Sequence, residues 1–81
     1  MVILSKHAHK ITNKVWMNRD KKSTTYNEFI EFGNYKKESA EIFEDGYTII
    51  FVNNIRFQEE KFSNQKEAVR ILKRKGFRID V

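Results

Sequence analysis

The chain changes its hydrophobic period several times, and each change marks an expected element. Val2-Ile3-Leu4 reads as a short strand, after which Ser5 is placed to cap a helix over residues 6–18. Ala8, Ile11, Val15 and Trp16 would share the apolar face of that helix. Lys6, Lys10 and Lys14, at i, i+4 and i+8, would share the opposite one. Arg19-Asp20-Lys21-Lys22 is a polar connection. Thr25-Tyr26-Asn27-Glu28 then has the form of a capping box. It predicts a second, short helix with Tyr26, Phe29, Ile30 and Phe32, ended by Gly33 and Asn34.

The middle of the chain alternates instead, and its turn residues divide it. Asp45-Gly46 and Asn53-Asn54 are two-residue hairpin signals that bound strands near residues 37–44, 47–52 and 55–61. Two-residue loops would set Ile42 opposite Ile49 and Ala40 opposite Phe51, then Val52 opposite Ile55 and Ile50 opposite Phe57. One face would carry Ala40, Ile42, Tyr47, Ile49 and Phe51. The other would carry Phe43, Ile50, Val52, Ile55 and Phe57, so both would need cover.

Asn64-Gln65-Lys66-Glu67 is a second capping box, and the helix it opens should run to about Lys75 with Gly76 at the position after its cap. Ala68, Val69, Ile71 and Leu72 make its apolar face. Phe77 to Val81 alternates as a final strand. The fold class expected is α+β in one domain, residues 1–81. It has two N-terminal helices, a three-stranded antiparallel meander, a basic C-terminal helix and a short last strand.

Composition narrows the function classes. Eighty-one residues, 40% apolar and 14% aromatic, suffice for one core and exclude a disordered tail. The absence of cysteine excludes disulfides, thiol nucleophiles and cysteine-based zinc sites. The opening apolar run is too short for a signal peptide or a membrane span, so a cytoplasmic protein with no membrane partner is expected. Three glycines form no phosphate-cradling loop, and no Ser-His-Asp spacing is present. No cofactor, no small-molecule substrate and no enzymatic activity are implied.

Charge adds the candidate chemistry. Net charge is +5, unevenly placed: basic ends flank an acidic middle. In the last helix Lys66, Arg70, Lys73 and Arg74 fall within about a third of a turn, facing away from Leu72, and Lys75 and Arg78 follow. Such a row can track a phosphate backbone, each contact releasing counterions. The plainer alternative is a solvated face whose last cations complement the helix dipole. Lys6, Lys10 and Lys14 would form a second basic row, reinforcing the first only if both fold onto one side. His7 and His9 would point together in a strand but apart in the predicted helix, and with no third ligand no metal is expected. Trp16, Tyr26, Phe29 and Phe32 read as core; Tyr35 and Tyr47 read as exposed rings able to stack on a base. Glu38, Glu41, Glu44, Asp45, Glu59 and Glu60 read as edge protection for the sheet.

The predicted α-βββ-α order resembles a double-stranded-RNA-binding domain in arrangement. The loop between its first two strands lacks that family's Gly-Pro-His character, and the second helix opens with Asn64-Gln65-Lys66 rather than a lysine cluster. The predicted β-α-α-βββ order also resembles RelE-type ribonuclease toxins, in topology and basic charge only, with no catalytic motif to carry over. The leading expectation is a small non-enzymatic protein that binds DNA or RNA through the last helix. The alternatives are a protein-interaction or inhibitor module, with a protein partner or as a homodimer, and a small ribonuclease toxin.

Overall fold

The computed structural model describes residues 1–12 and 14–79. The strands are β1 (Val2–Lys10), β2 (Val15–Met17), β3 (Phe29–Glu31), β4 (Tyr35–Ile42), β5 (Tyr47–Val52), β6 (Ile55–Lys61) and β7 (Arg78–Ile79). The helix α1 (Gln65–Arg74) lies between β6 and β7. Five strands form an antiparallel sheet in the order β6-β5-β4-β1-β7, and β2 pairs with β3 in a separate hairpin. Of the expected final strand, Asp80 and Val81 lie outside the described residues.

This overturns the expected α+β class. The protein is mostly β, and neither N-terminal helix exists. Residues 6–10 continue β1, where Leu4 faces Ala40 and Lys6 faces Glu38 across the ladder. A long-range partner strand outweighs a helical spacing that local propensity only weakly supports. Over residues 25–32 the capping box loses to a different use of the same side chains. Thr25 Oγ1 accepts from Asn18 Nδ2 at 2.7 Å, and Asn27 adopts φ 64°, which a right-handed helix forbids. Asn27 and Asn18 then close the β2–β3 hairpin through Asn27 N to Asn18 O and Asn18 N to Glu28 O. With the first two helices gone, both family resemblances lose the element order on which they rested.

The three-stranded meander forms, but one residue out of the expected register at its first turn. Phe43 N donates to Tyr47 O and Gly46 N donates to Phe43 O, so Glu44-Asp45-Gly46 is a three-residue loop. Ile42 therefore faces Thr48, and Ala40 faces Ile50. A slip of one exchanges the faces of a strand. Ala40, Ile42, Ile50 and Val52 now share the covered face, while Tyr47, Ile49 and Phe51 take the other. At the second turn Asn53 and Asn54 have φ 49° and 68°, and Val52 faces Ile55 as the two-residue loop requires. An irregularity at Phe57 then sets Ile50 opposite Gln58 instead of Phe57.

The helix follows its sequence closely. Asn64 Oδ1 accepts from Glu67 N at 2.8 Å. At the other end Gly76 N donates to Lys73 O and Phe77 N to Leu72 O, a Schellman pair at the left-handed Gly76. Phe77 also packs with Leu72, Ala68, Leu4, Ala40, Ile42 and Ile50 in the first core cluster. Thus α1 covers one end of one sheet face.

The other end of that face is covered by the hairpin. Ile11, Ile30 and Phe32 pack with Val52, flanked by Trp16, Ile55 and Phe57. The Trp16, Phe32 and Phe57 rings meet edge-on or tilted, with centroids 6.0–6.3 Å apart. Lys36, almost fully buried, sets its ammonium 3.7 Å from the Trp16 ring centroid. Burial holds that amine below the usual lysine range, opposed by Glu38. The ring face attracts the same cation. Of the aromatics expected in the core, Phe32 is buried and Trp16 half-buried, but Tyr26 and Phe29 are exposed. Strand pairing explains Phe29, since Phe29 and Ile30 alternate and only Ile30 turns inward, while Tyr26 lies in the loop between β2 and β3.

A polar cluster ties the hairpin loop to β6. Asn18 is fully buried; its Nδ2 bonds Ser23 Oγ, Thr25 Oγ1 and Arg56 O, and its Oδ1 accepts from Asp20 N. Asp20 Oδ2 accepts from Arg56 Nε at 2.9 Å, and Arg56 Nη2 reaches both the Tyr47 hydroxyl and Glu59. Tyr47 is consequently half-buried and engaged, not the free ring expected. Lys22 pairs with Glu59 at 3.1 Å.

Candidate nucleic-acid interface

The cations of α1 lie where the helical spacing put them. Ala68 and Leu72 are buried against the sheet, and Lys66, Arg70, Lys73 and Arg74 are on the opposite side. Lys75 and Arg78 are exposed beyond the helix end. They are not equivalent. Arg70 forms a close ion pair with Glu67, one turn earlier, which raises the guanidinium and lowers the carboxyl from their ordinary ranges. Arg78 Nη1 donates to the carbonyls of Lys73 and Phe77, so its guanidinium caps the helix end. No ion pair within the described residues engages Lys66, Lys73, Arg74 or Lys75.

The second predicted row does not exist as a row, because its helix does not. Lys6 and Lys10 belong to β1, and Lys14 is an exposed residue between β1 and β2. Within β1 the ladder shifts between Lys6 and His9, so Lys6 faces Glu38 while Lys10 faces Tyr35. Lys6 points to the helix side: a Cβ on Gly76 would come within 3.3 Å of its Cε, and its ammonium sits 5.9 Å from the Phe77 ring centroid. It thus joins the α1 C-terminus, although it shares charge with Glu38 at 3.7 Å. Lys10 points to the opposite face.

The fold also sets Tyr35, exposed as expected from the sequence, on one face with Lys37 and Ser39, which spacing did not single out. On β4, Tyr35, Lys37, Ser39 and Glu41 alternate with buried Lys36, Ala40 and Ile42. They face away from α1. Two-residue alternation through Tyr35-Lys36-Lys37 was the available signal, but it identifies the open face only once the register is known.

Each cation's location follows from sheet or helix geometry, and the acidic residues lie mainly elsewhere. Glu44 and Asp45 occupy the β4–β5 turn, near the start of α1, where Gln65 Nε2 donates to Ile42 O. These two carboxylates stand at the end of α1 that carries Lys66, away from Lys73, Arg74 and Lys75, whereas Glu38 reaches the other end through Lys6. No family model, curated protein or solved structure matches the chain. Among the described residues no group of three or more His, Cys, Asp or Glu could hold a metal ion. No helix among the described residues is long and apolar enough to cross a membrane.

Proposed function

We propose that the protein is a non-enzymatic nucleic-acid-binding protein whose α1 outer surface contacts phosphates. The observation that carries this reading is that Lys66, Lys73, Arg74 and Lys75 stand on one helical segment without intramolecular ion pairs among the described residues. Surface cations normally gain little from isolated pairing, so leaving four together is neutral for folding and favourable for a polyanion. Lys6, seated against Gly76, extends the patch toward the sheet. Contacts of this kind position a nucleic acid without reading its sequence.

The test is fluorescence anisotropy with short duplex and single-stranded DNA and RNA at low and moderate salt. Binding should weaken steeply with salt. The triple variant Lys66→Ala, Lys73→Ala, Arg74→Ala should lower affinity by roughly tenfold or more. It should also flatten the log–log salt slope by about 0.7–0.9 for each phosphate it no longer neutralises. Parental affinity in that variant, or no binding at low salt, would reject the reading. All three side chains lie on the outer side of the helix, so folding should be unaffected.

A further inference from the structure

One face of the five-stranded sheet is covered by α1 and the hairpin; on the other the β2–β3 loop engages Arg56, Tyr47 and Glu59, and the remaining open part, on β1 and β4, has a distinct chemistry. We propose that it is a second binding surface, for single-stranded nucleic acid, with Tyr35 as a stacking platform and Lys10 and Lys37 as phosphate contacts. The ligand class rests on the nucleic-acid reading above; the residues are separate from those of α1.

Three observations carry the proposal. First, Tyr35 is 58% exposed on a strand whose neighbours fix its backbone. Asn53 Nδ2 donates to Tyr35 O, Asn53 Oδ1 accepts from Lys37 N, and Lys10 pairs with Tyr35 from β1. An exposed ring on a rigid backbone presents a stacking surface at little entropic cost. Secondly, Lys10 and Lys37 flank that ring on the same face and form no ion pair within the described residues. Charge complementarity therefore favours an anion. Thirdly, a groove of about 290 Å³ continues along the same face, lined by Ser5, Lys37, Ser39, Asn53 and Asn54, with Glu41 at one end. Its hydroxyls and the Asn54 amide can donate to and accept from a base edge, while the Asn53 amide is held by the β4 backbone. Phe51, half-buried and opposite Ser39, lies about 14 Å from Tyr35 by strand geometry.

This combination suits a single strand. Stacking requires the flat face of a base, which a duplex keeps inside its own stack. A second copy of this chain is the competing occupant, because Ile3, Ile49 and Phe51 add apolar area to the same face.

The experiment compares the intact protein with Tyr35→Ala, Tyr35→Phe, Lys37→Ala and the α1 triple variant, using oligouridylate, oligothymidylate and a mixed-sequence duplex. Light scattering is run in parallel. Tyr35→Ala should lose about tenfold in single-strand affinity with little change toward the duplex, and Tyr35→Phe should retain binding. Lys37→Ala should weaken single-strand binding and flatten its salt dependence. If Tyr35→Ala and Lys37→Ala bind single strands as the parent does while the α1 variant is weakened, the sheet-face inference falls and the helix reading stands. If no probe binds, both fall. If the two sheet variants instead dissociate a dimer, the face belongs to a second copy and the inference is overturned.

Discussion

Replacing Gly46 by alanine should destabilise the fold by about 3 kcal/mol, read as a fall in the urea midpoint without a change in slope. Two costs combine. Gly46 has φ +92°, a region that an L side chain rarely adopts. An added Cβ would also lie 2.5 Å from Phe62 O and 2.9 Å from Asn64 N, both backbone atoms. Neither neighbour moves cheaply. Phe62 N donates to Gly46 O, and Asn64 caps α1, so relief of the clash must disturb the β6–α1 junction. Gly33 supplies the control. Its φ is +66°, but a Cβ there would meet nothing within 4 Å. Gly33→Ala should therefore show the conformational cost alone, about 1 kcal/mol. Equal losses at the two glycines would refute the packing account.

Asn18→Ala should cost a similar amount, about 3 kcal/mol, because the side chain satisfies several polar groups in a buried place. Without its amide, Arg56 O and Asp20 N are left without this partner, and the two hydroxyls of Ser23 and Thr25 retain each other. The loop between β2 and β3 is held to β6 by this residue and by the Asp20–Arg56 pair. Thermal and urea denaturation should show the loss, whereas Arg19→Ala, next along and exposed, should change stability by less than about 0.5 kcal/mol. If Asn18→Ala unfolds with the parental midpoint, the cluster is not holding the hairpin in place.

Where a short-range signal coincided with the tertiary outcome, the sequence was legible. Asn64 to Glu67 capped the helix, Gly76 ended it, and Asn53-Asn54 made the tight turn. Where two local codes competed, it was not. Ala8, Ile11, Val15 and Trp16 have helical spacing, but β1 finds its partner in β4, far along the chain, and no local rule records that. Asp45-Gly46 identified a turn correctly but not its length. A single additional loop residue, Glu44, was enough to exchange the two faces of β5. The cationic side of α1 was readable because it depends only on helical period. The placement of Lys10 beside Tyr35 depends on a shift within β1, and that of Lys6 beside Gly76 on the long-range β1–β4 register and the seating of α1, which only the folded sheet reveals.

The position of β1 also bears on how the chain folds. Strands β4, β5 and β6 join through short loops, and α1 follows directly, so their contacts close small loops of chain. In contrast, Leu4 must meet Ala40 on one side and Ile79 on the other. Closing such distant pairs carries the larger entropic cost and slows folding. The meander and helix should therefore assemble early, and insertion of β1 between β4 and β7 should be the late step. In a kinetic study, truncating Leu4 should chiefly accelerate unfolding, while truncating Ile50 should also retard refolding.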